Sequence, residues 1–216
     1  MNEVFARIRE MGIVPVIKLE KAEDARALGR ALVEGGLLIA EVTFRTAAAP
    51  QAIRLLRKEY PSLLVGAGTI TTPDQVKAAL DAGASFAVAP GFNPRIADLF
   101  IAAGLPFVPG VNSPTQVELA LEKGLSLLKF FPAEASGGIK MLKSLHGPYS
   151  EVSFVPTGGV EAANLAAYLA LPYVAAIGGS WMVKEELISS GAWGEVARLS
   201  AEAISLARAA RSAAKK

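Results

Sequence analysis

Eight short apolar runs, each followed by a helix-length stretch, restrict the possible folds of this chain more than any other feature. From residue 13 onward, runs rich in β-branched residues or bounded by Gly and Pro fall at 13–17, 37–43, 63–67, 85–89, 107–110, 125–131, 152–156 and 173–177. Several are hydrophobic at every position, as strands covered on both faces are. Between them, 22–34, 48–59, 73–82, 94–103, 114–123, 138–145 and 162–170 carry apolar residues at helical spacing, followed by 181–189 and a long Ala-rich helix over 193–210. Residues 211–216 are expected to fray, with Lys215 and Lys216 a solvated tail. Strand and helix in strict alternation describe parallel β/α units.

Helix punctuation supports the count. Thr72-Pro73, Asn93-Pro94 and Ser113-Pro114 each set an N-cap residue type before a proline at the first helical position, where the missing N–H costs nothing. Gly83, Gly104 and Gly124 close the helices that follow. Eight units in 216 residues predict a (β/α)8 TIM barrel with an additional C-terminal helix, residues 1–216 forming one domain. A doubly wound open sheet is the alternative, but no strand is followed by the G-x-G-x-x-G turn of a dinucleotide-binding fold.

Composition then narrows the function. A net charge of +2, spread along the chain, offers no basic stripe for nucleic acid or a membrane surface. Every apolar run is interrupted before it reaches membrane-spanning length, and the N-terminus lacks the apolar stretch of a signal peptide, so a cytoplasmic location is expected. With no Cys and a single His, a thiolate or zinc site is disfavoured. No metal and no cofactor are expected.

In a barrel the chemistry sits at the C-terminal ends of the strands. The second run ends Glu41-Val-Thr-Phe-Arg45; alternation puts Glu41, Thr43 and Arg45 on one face, either looking into the barrel mouth or forming a local ion pair. The sixth contains Lys129, flanked by Leu128, Phe130 and Phe131. A lysine in an apolar strand either snorkels to solvent or is kept dry, and burial favours the neutral, nucleophilic amine. Phe131 is close enough in sequence to help exclude water. The third run leads into Gly66-Ala-Gly-Thr69, where small residues admit a ligand and Thr69 offers a hydroxyl, or where the chain simply turns into a helix. The seventh and eighth end in Thr157-Gly158-Gly159 and Gly178-Gly179-Ser180. Paired glycines let backbone N–H groups approach an anion, and barrels often build a phosphate site from these two loops. His146, at the end of the sixth helix, is expected to contact the last carbonyls, and Trp181 to serve packing.

Taken together, Glu41-Val-Thr-Phe-Arg45, Gly66-Ala-Gly-Thr69, Pro109-Gly-Val111, Lys129-Phe-Phe-Pro-Ala-Glu134, Pro156-Thr-Gly-Gly159 and Gly178-Gly-Ser180 resemble, in order and over nearly the whole chain, the 2-keto-3-deoxy-6-phosphogluconate (KDPG) aldolase family, also active on 4-hydroxy-2-oxoglutarate (KHG). The resemblance implies a class I, pyruvate-dependent aldolase, usually a homotrimer, acting on a small phosphorylated keto acid. It implies that Lys129 forms a Schiff base with the substrate's 2-keto carbon, Glu41 is the general acid/base, Arg45 contacts the pyruvyl carboxylate and Thr69 is a neighbouring polar contact. Gly158, Gly159, Gly179 and Ser180 would hold the 6-phosphate. Pro90, Thr157 and Gly178 would line the site. A phosphosugar isomerase or synthase on the same barrel, using Lys129 as a charge and forming no imine, is the competing reading, and a phosphosugar-binding scaffold a more distant one.

Overall fold

The apolar runs become parallel strands arranged in a ring. The structure, a computed structural model, describes residues 2–214. The strands are β1 (Ile13–Ile17), β2 (Ile39–Thr43), β3 (Leu64–Gly68), β4 (Phe86–Val88), β5 in two pieces (Phe107–Val108 and Gly110–Val111), β6 (Leu127–Phe130), β7 (Ser153–Pro156) and β8 (Ile177–Gly179). Pro109 divides β5 because it has no N–H to give to a ladder. The first piece pairs with β4 and the second with β6, so pairing passes across the interruption. β8 pairs with β1, and the bridges Phe154↔Val174 and Thr157↔Gly178 join the β7 segment to the β8 segment. The (β/α)8 barrel with its C-terminal helix is thus the observed architecture, and its interior and outer layer share one continuous apolar core.

Local chemistry explains most boundaries. Thr72 and Gln75 form a reciprocal capping box, and the Asn93 side chain accepts from the backbone N–H of Arg95 at 3.0 Å. Ser113 makes no such bond; instead the Gln116 side chain accepts from the N–H of Asn112 at 2.8 Å. Gly83, Gly104 and Gly124 are left-handed, with φ of 75°, 67° and 73°, which is why glycine ends these helices.

Four features depart from the expectations. A helix over Glu3–Met11 precedes β1, capped by the side chain of Asn2. It lies across the N-terminal end of the barrel: Arg7 donates to the Ser62 carbonyl just before β3, Arg9 donates to Ser153 Oγ at the start of β7, and Ile8 is buried against the interior. At the other end of the chain the last helix runs Trp193–Ala214, beyond the expected stop at 210. Arg211, expected to fray, donates to the carbonyls of Arg9 and Ala175 and ties this helix to the barrel floor. Lys215 and Lys216 lie outside the described residues.

The eighth strand is the third departure. It covers Ile177–Gly179 rather than 173–177, because Ile177, Gly178 and Gly179 are the residues in register with Ile13, Val14 and Pro15. The following helix is also split, into a 3₁₀ turn at Trp181–Val183 and a short α-helix at Glu185–Ser189, by the extended backbone of Lys184. Fourth, His146 does not hydrogen-bond the last helical carbonyls. Its ring stacks on Tyr173 with centroids 3.7 Å apart and planes 16° apart, and its Nδ1 is buried without a partner. Burial also raises the pKa of the Tyr173 phenol. Among the described residues, no helix is long and apolar enough to cross a membrane.

Candidate active site

Two buried charges meet inside the barrel. Lys129 Nζ, from the middle of β6, lies 3.1 Å from Glu41 Oε1 of β2, and both side chains are almost fully enclosed. Removing either charge from water is expensive, and contact with the other offsets part of that cost. Gly68 makes the arrangement possible, since a Cβ there would stand 2.4 Å from Glu41 Oε1. Below the pair, Ile8, Val14, Phe86, Val88, Val108 and Val155 line a nearly filled interior. Above it, the Phe131 ring centroid is 5.5 Å from Nζ, close enough to contact the amine and limit water.

Strand alternation carries the rest of the site. Glu41 and Thr43 share the inward face of β2 and Arg45 follows in the turn just beyond it: Glu41 reaches the interior, while Thr43 and Arg45 line a cavity of about 330 Å³ at the barrel mouth. Thr43 Oγ1 donates to the Ile17 carbonyl at 2.8 Å and fixes this edge of the cavity. Phe131, Thr157, Gly158, Gly159, Gly178, Gly179 and Ser180 line the same space, so the sequence-derived anion loops and Arg45 converge. Pro90 lies on a neighbouring hollow, with Phe131 as the wall common to both.

Thr69 does not line either space, but it stands at the mouth directly after β3 with φ = 62°. A β-branched residue in the left-handed region costs on the order of 1–3 kcal/mol. Hydrogen bonds from Phe44 N to Gly68 O and from Ile70 N to Val88 O hold the turn on either side. Such strain is characteristic of functional loops.

The glycine loops are shaped by what surrounds them. Gly158 and Gly159 have φ of 97° and 77°, and a Cβ on Gly159 would stand 2.7 Å from Glu134 Cβ. Glu134 clamps this loop: its N–H donates to the Gly158 carbonyl at 3.0 Å and its carboxylate accepts from the buried Tyr168 hydroxyl. Burial, with the carboxylate's help, drives the pKa of that phenol upward. Gly178 and Gly179 leave no room for side chains either; a Cβ would stand 2.3 Å from Thr157 Oγ1 and 2.1 Å from the Trp181 ring, respectively.

The mouth cavity also holds residues that were not anticipated. Val16, Lys18, Lys184, Glu185 and Glu186 line it. The alternation along β2 applies equally to Val14 and Val16 on β1 and to Lys18 immediately after it, although Ile17 at the strand end also borders the cavity.

A buried amine touching a carboxylate, beneath an open cavity lined by a guanidinium and glycine turns, can do covalent carbonyl chemistry with proton transfer on an anionic substrate. Comparisons with known proteins point the same way. Residues 4–199 match the family model described as KDPG and KHG aldolase. The chain belongs to this aldolase family. A Haemophilus influenzae relative named 2-dehydro-3-deoxy-phosphogluconate aldolase is 48% identical over 205 residues, covering 95% of this chain and 97% of the relative. Among solved structures, KDPG aldolase from Legionella pneumophila, with pyruvate captured at low pH as a covalent carbinolamine intermediate, superposes with a TM-score of 0.90 at 40% identity and covers 94% of this chain and 98% of its own. The 2-keto-3-deoxy-6-phosphogluconate aldolase of Zymomonas mobilis, solved with 3-phosphoglycerate, gives a TM-score of 0.87 at 36% identity, covering 94% and 95%. The KDPG/KHG aldolase family is a family of lyases, and this chain is an aldolase.

Proposed function

We propose that this aldolase cleaves KDPG to pyruvate and glyceraldehyde 3-phosphate, and KHG to pyruvate and glyoxylate, through an imine on Lys129. The observation that carries the reading is the buried Lys129–Glu41 contact at 3.1 Å. The amine attacks C2 of the substrate to give a carbinolamine, which loses water to form a protonated imine. That iminium accepts the electron pair released when C3–C4 breaks. Glu41 takes the C4 hydroxyl proton, directly or through water, so that the departing fragment leaves as an aldehyde. The enamine left on Lys129 is protonated at C3, and hydrolysis frees pyruvate and the amine.

Arg45 suits the pyruvyl carboxylate, because a guanidinium can bind both oxygens. Pro90, Phe131 and Thr157 bound the substrate, Thr69 meets it from the strained turn at the mouth outside the cavity lining, and Gly158, Gly159, Gly178, Gly179 and Ser180 take the 6-phosphate. The pyruvate and 3-phosphoglycerate in the two relatives support both halves of this assignment. Phosphorylated sugar acids do not cross membranes freely, which supports a cytoplasmic location. Release of equimolar pyruvate and glyceraldehyde 3-phosphate from KDPG tests the substrate assignment.

The phosphate loops have their own test. Because a Cβ on Gly179 collides with Trp181, Gly179→Ala must displace the backbone or the indole at the cavity wall. We expect KM for KDPG to rise about tenfold more than KM for KHG, the size of one charge-assisted contact. Equal effects on both substrates would remove the phosphate from this wall.

The reading includes a homotrimer. The large apolar side chains still exposed among the described residues are Leu80, Leu99, Ile101 and Leu119, all on three consecutive helices, Pro73–Asp81, Pro94–Ala102 and Pro114–Glu122. Their presence on three consecutive helices supports a contact between copies of the chain on that part of the outer layer. Sedimentation equilibrium is expected to give three times the chain mass, and Ile101→Lys to shift it towards the monomer.

A further inference from the structure

Lys18 stands immediately after β1, where alternation places it with Val14 and Val16. Val14 lines the interior beside Lys129 and Glu41, whereas Val16 and Lys18 line the mouth cavity. β1 is hydrogen-bonded to β8, with Val14 opposite Gly178 and Pro15 opposite Gly179, so Lys18 emerges beside the glycine turn that ends in Ser180. Its ammonium is held by two carboxylates, at 2.8 Å from Glu20 and 2.9 Å from Glu185. Glu185 lines the same cavity.

We infer that Lys18 is a specificity-determining residue: its ammonium exchanges Glu20 and Glu185 for the phosphate of an incoming substrate, and Glu185 sets how strongly phosphorylated keto acids are preferred over unphosphorylated ones. This rests on the phosphate site proposed above. Three cations line the cavity, Lys18, Arg45 and Lys184, against two carboxylates, Glu185 and Glu186. Arg45 is committed to the substrate carboxylate. That leaves Lys18 and Lys184 as positive partners for a dianionic phosphate at the glycine turns; Lys184 is exposed, whereas Lys18 is partly enclosed and is the one that holds Glu185, the carboxylate that would otherwise repel the phosphate.

The geometry of Lys18 satisfies both needs. The side chains of Glu20 and Glu185 are 69% and 57% exposed, so their ion pairs with Lys18 are solvent-screened and readily broken. Lys18 is only 27% exposed, so the cavity already bounds the space its ammonium can reach. Hydrogen bonds to Glu20 and then Glu185 raise its pKa, so the group remains a full cation at neutral pH. Substrate binding replaces two exposed carboxylate contacts with one to a doubly charged anion.

The test compares the wild type with Lys18→Met, Lys18→Arg and Glu185→Gln, each assayed on KDPG and KHG over a series of KCl concentrations. Lys18→Met is expected to raise KM for KDPG about tenfold more than KM for KHG, with kcat for KDPG changing less than about threefold, and to flatten the salt dependence of kcat/KM for KDPG. Lys18→Arg keeps the charge and is expected to restore most of the KDPG preference. Glu185→Gln is expected to lower KM for KDPG by about threefold, because it frees the ammonium and removes a like charge. If Lys18 only pins the Glu185 segment, both Lys18→Met and Glu185→Gln would raise KM for KDPG, and that result would overturn the assignment. So would equal effects of Lys18→Met on the two substrates. Should Lys18→Met fail to fold, the sign of the Glu185→Gln effect still decides. A wild type that cleaves KDPG while Lys18→Met is indistinguishable from it refutes the role of Lys18 alone; a wild type that does not cleave KDPG refutes the proposed function.

Discussion

Replacing Lys129 with alanine is expected to lower kcat/KM for both KDPG and KHG by at least about 10⁴-fold, because it removes the amine that forms the covalent electron sink. The loss should appear mainly in kcat. Arg45 and the glycine turns bind the substrate through other atoms, so KM for KDPG should move far less. The same variant is expected to cost stability, since it leaves the Glu41 carboxylate, 3% exposed, without its partner. Breaking a buried ion pair from one side costs roughly 3 kcal/mol or more. A Glu41→Gln, Lys129→Met double variant removes both charges and should recover much of that loss while staying inactive. Denaturant melts of the single and double variants alongside steady-state kinetics separate the two effects. A Lys129→Ala protein that retains more than a few per cent of wild-type turnover would exclude Lys129 as the nucleophile.

Glu41→Gln is the second large effect. Glutamine keeps the shape against Gly68 and can still contact the amine, but it cannot take the C4 hydroxyl proton. A loss of about 10²- to 10⁴-fold in kcat is expected, the usual range for general acid–base catalysis. Imine formation with pyruvate should persist, because Lys129 is intact. The diagnostic outcome is therefore an enzyme that still forms a reducible adduct but turns over slowly. If Glu41→Gln keeps near-wild-type kcat, the proton must leave by another route.

The parts of the fold that follow from local chemistry could be read from the sequence. Short apolar runs between capped, glycine-terminated helices imply parallel β/α units, and β1 was located to the residue because Gly12 and Lys18 bound its five apolar positions. Features that depend on the closed ring were harder to see. Gly178 and Gly179 look like a loop in the chain, yet they belong to β8 because they pair in register with Val14 and Pro15, and they are glycines because Thr157 and Trp181 fill the space their side chains would need. His146 looks like a helix-end residue until Tyr173 is brought beneath its ring. Arg211 looks like part of a loose end until Arg9 and Ala175 present their carbonyls to it.

The N-terminal helix is different, since its signal was present. Val4, Phe5, Ile8 and Met11 recur at helical spacing behind the capping residue Asn2, and all four meet the core.

Within the site, parity along β2 placed Glu41 and Arg45, and the strand context of Lys129 marked it as a burial problem. The same reasoning applied to β1 places Lys18 at the mouth, although its paired acids make it look like an ordinary surface cation. The exposed apolar residues on the three helices could not be read at all, because helical spacing shows which residues are apolar but not which of them a barrel leaves uncovered.

The covalent bond itself is the central claim, and it can be observed directly. Wild-type protein incubated with pyruvate and reduced with borohydride is expected to gain the mass of one reduced pyruvyl group per chain, mapped by peptide mass spectrometry to Lys129 and absent from Lys129→Ala. An unmodified Lys129 under conditions where pyruvate is bound would contradict the account and leave a non-imine reaction on the same barrel.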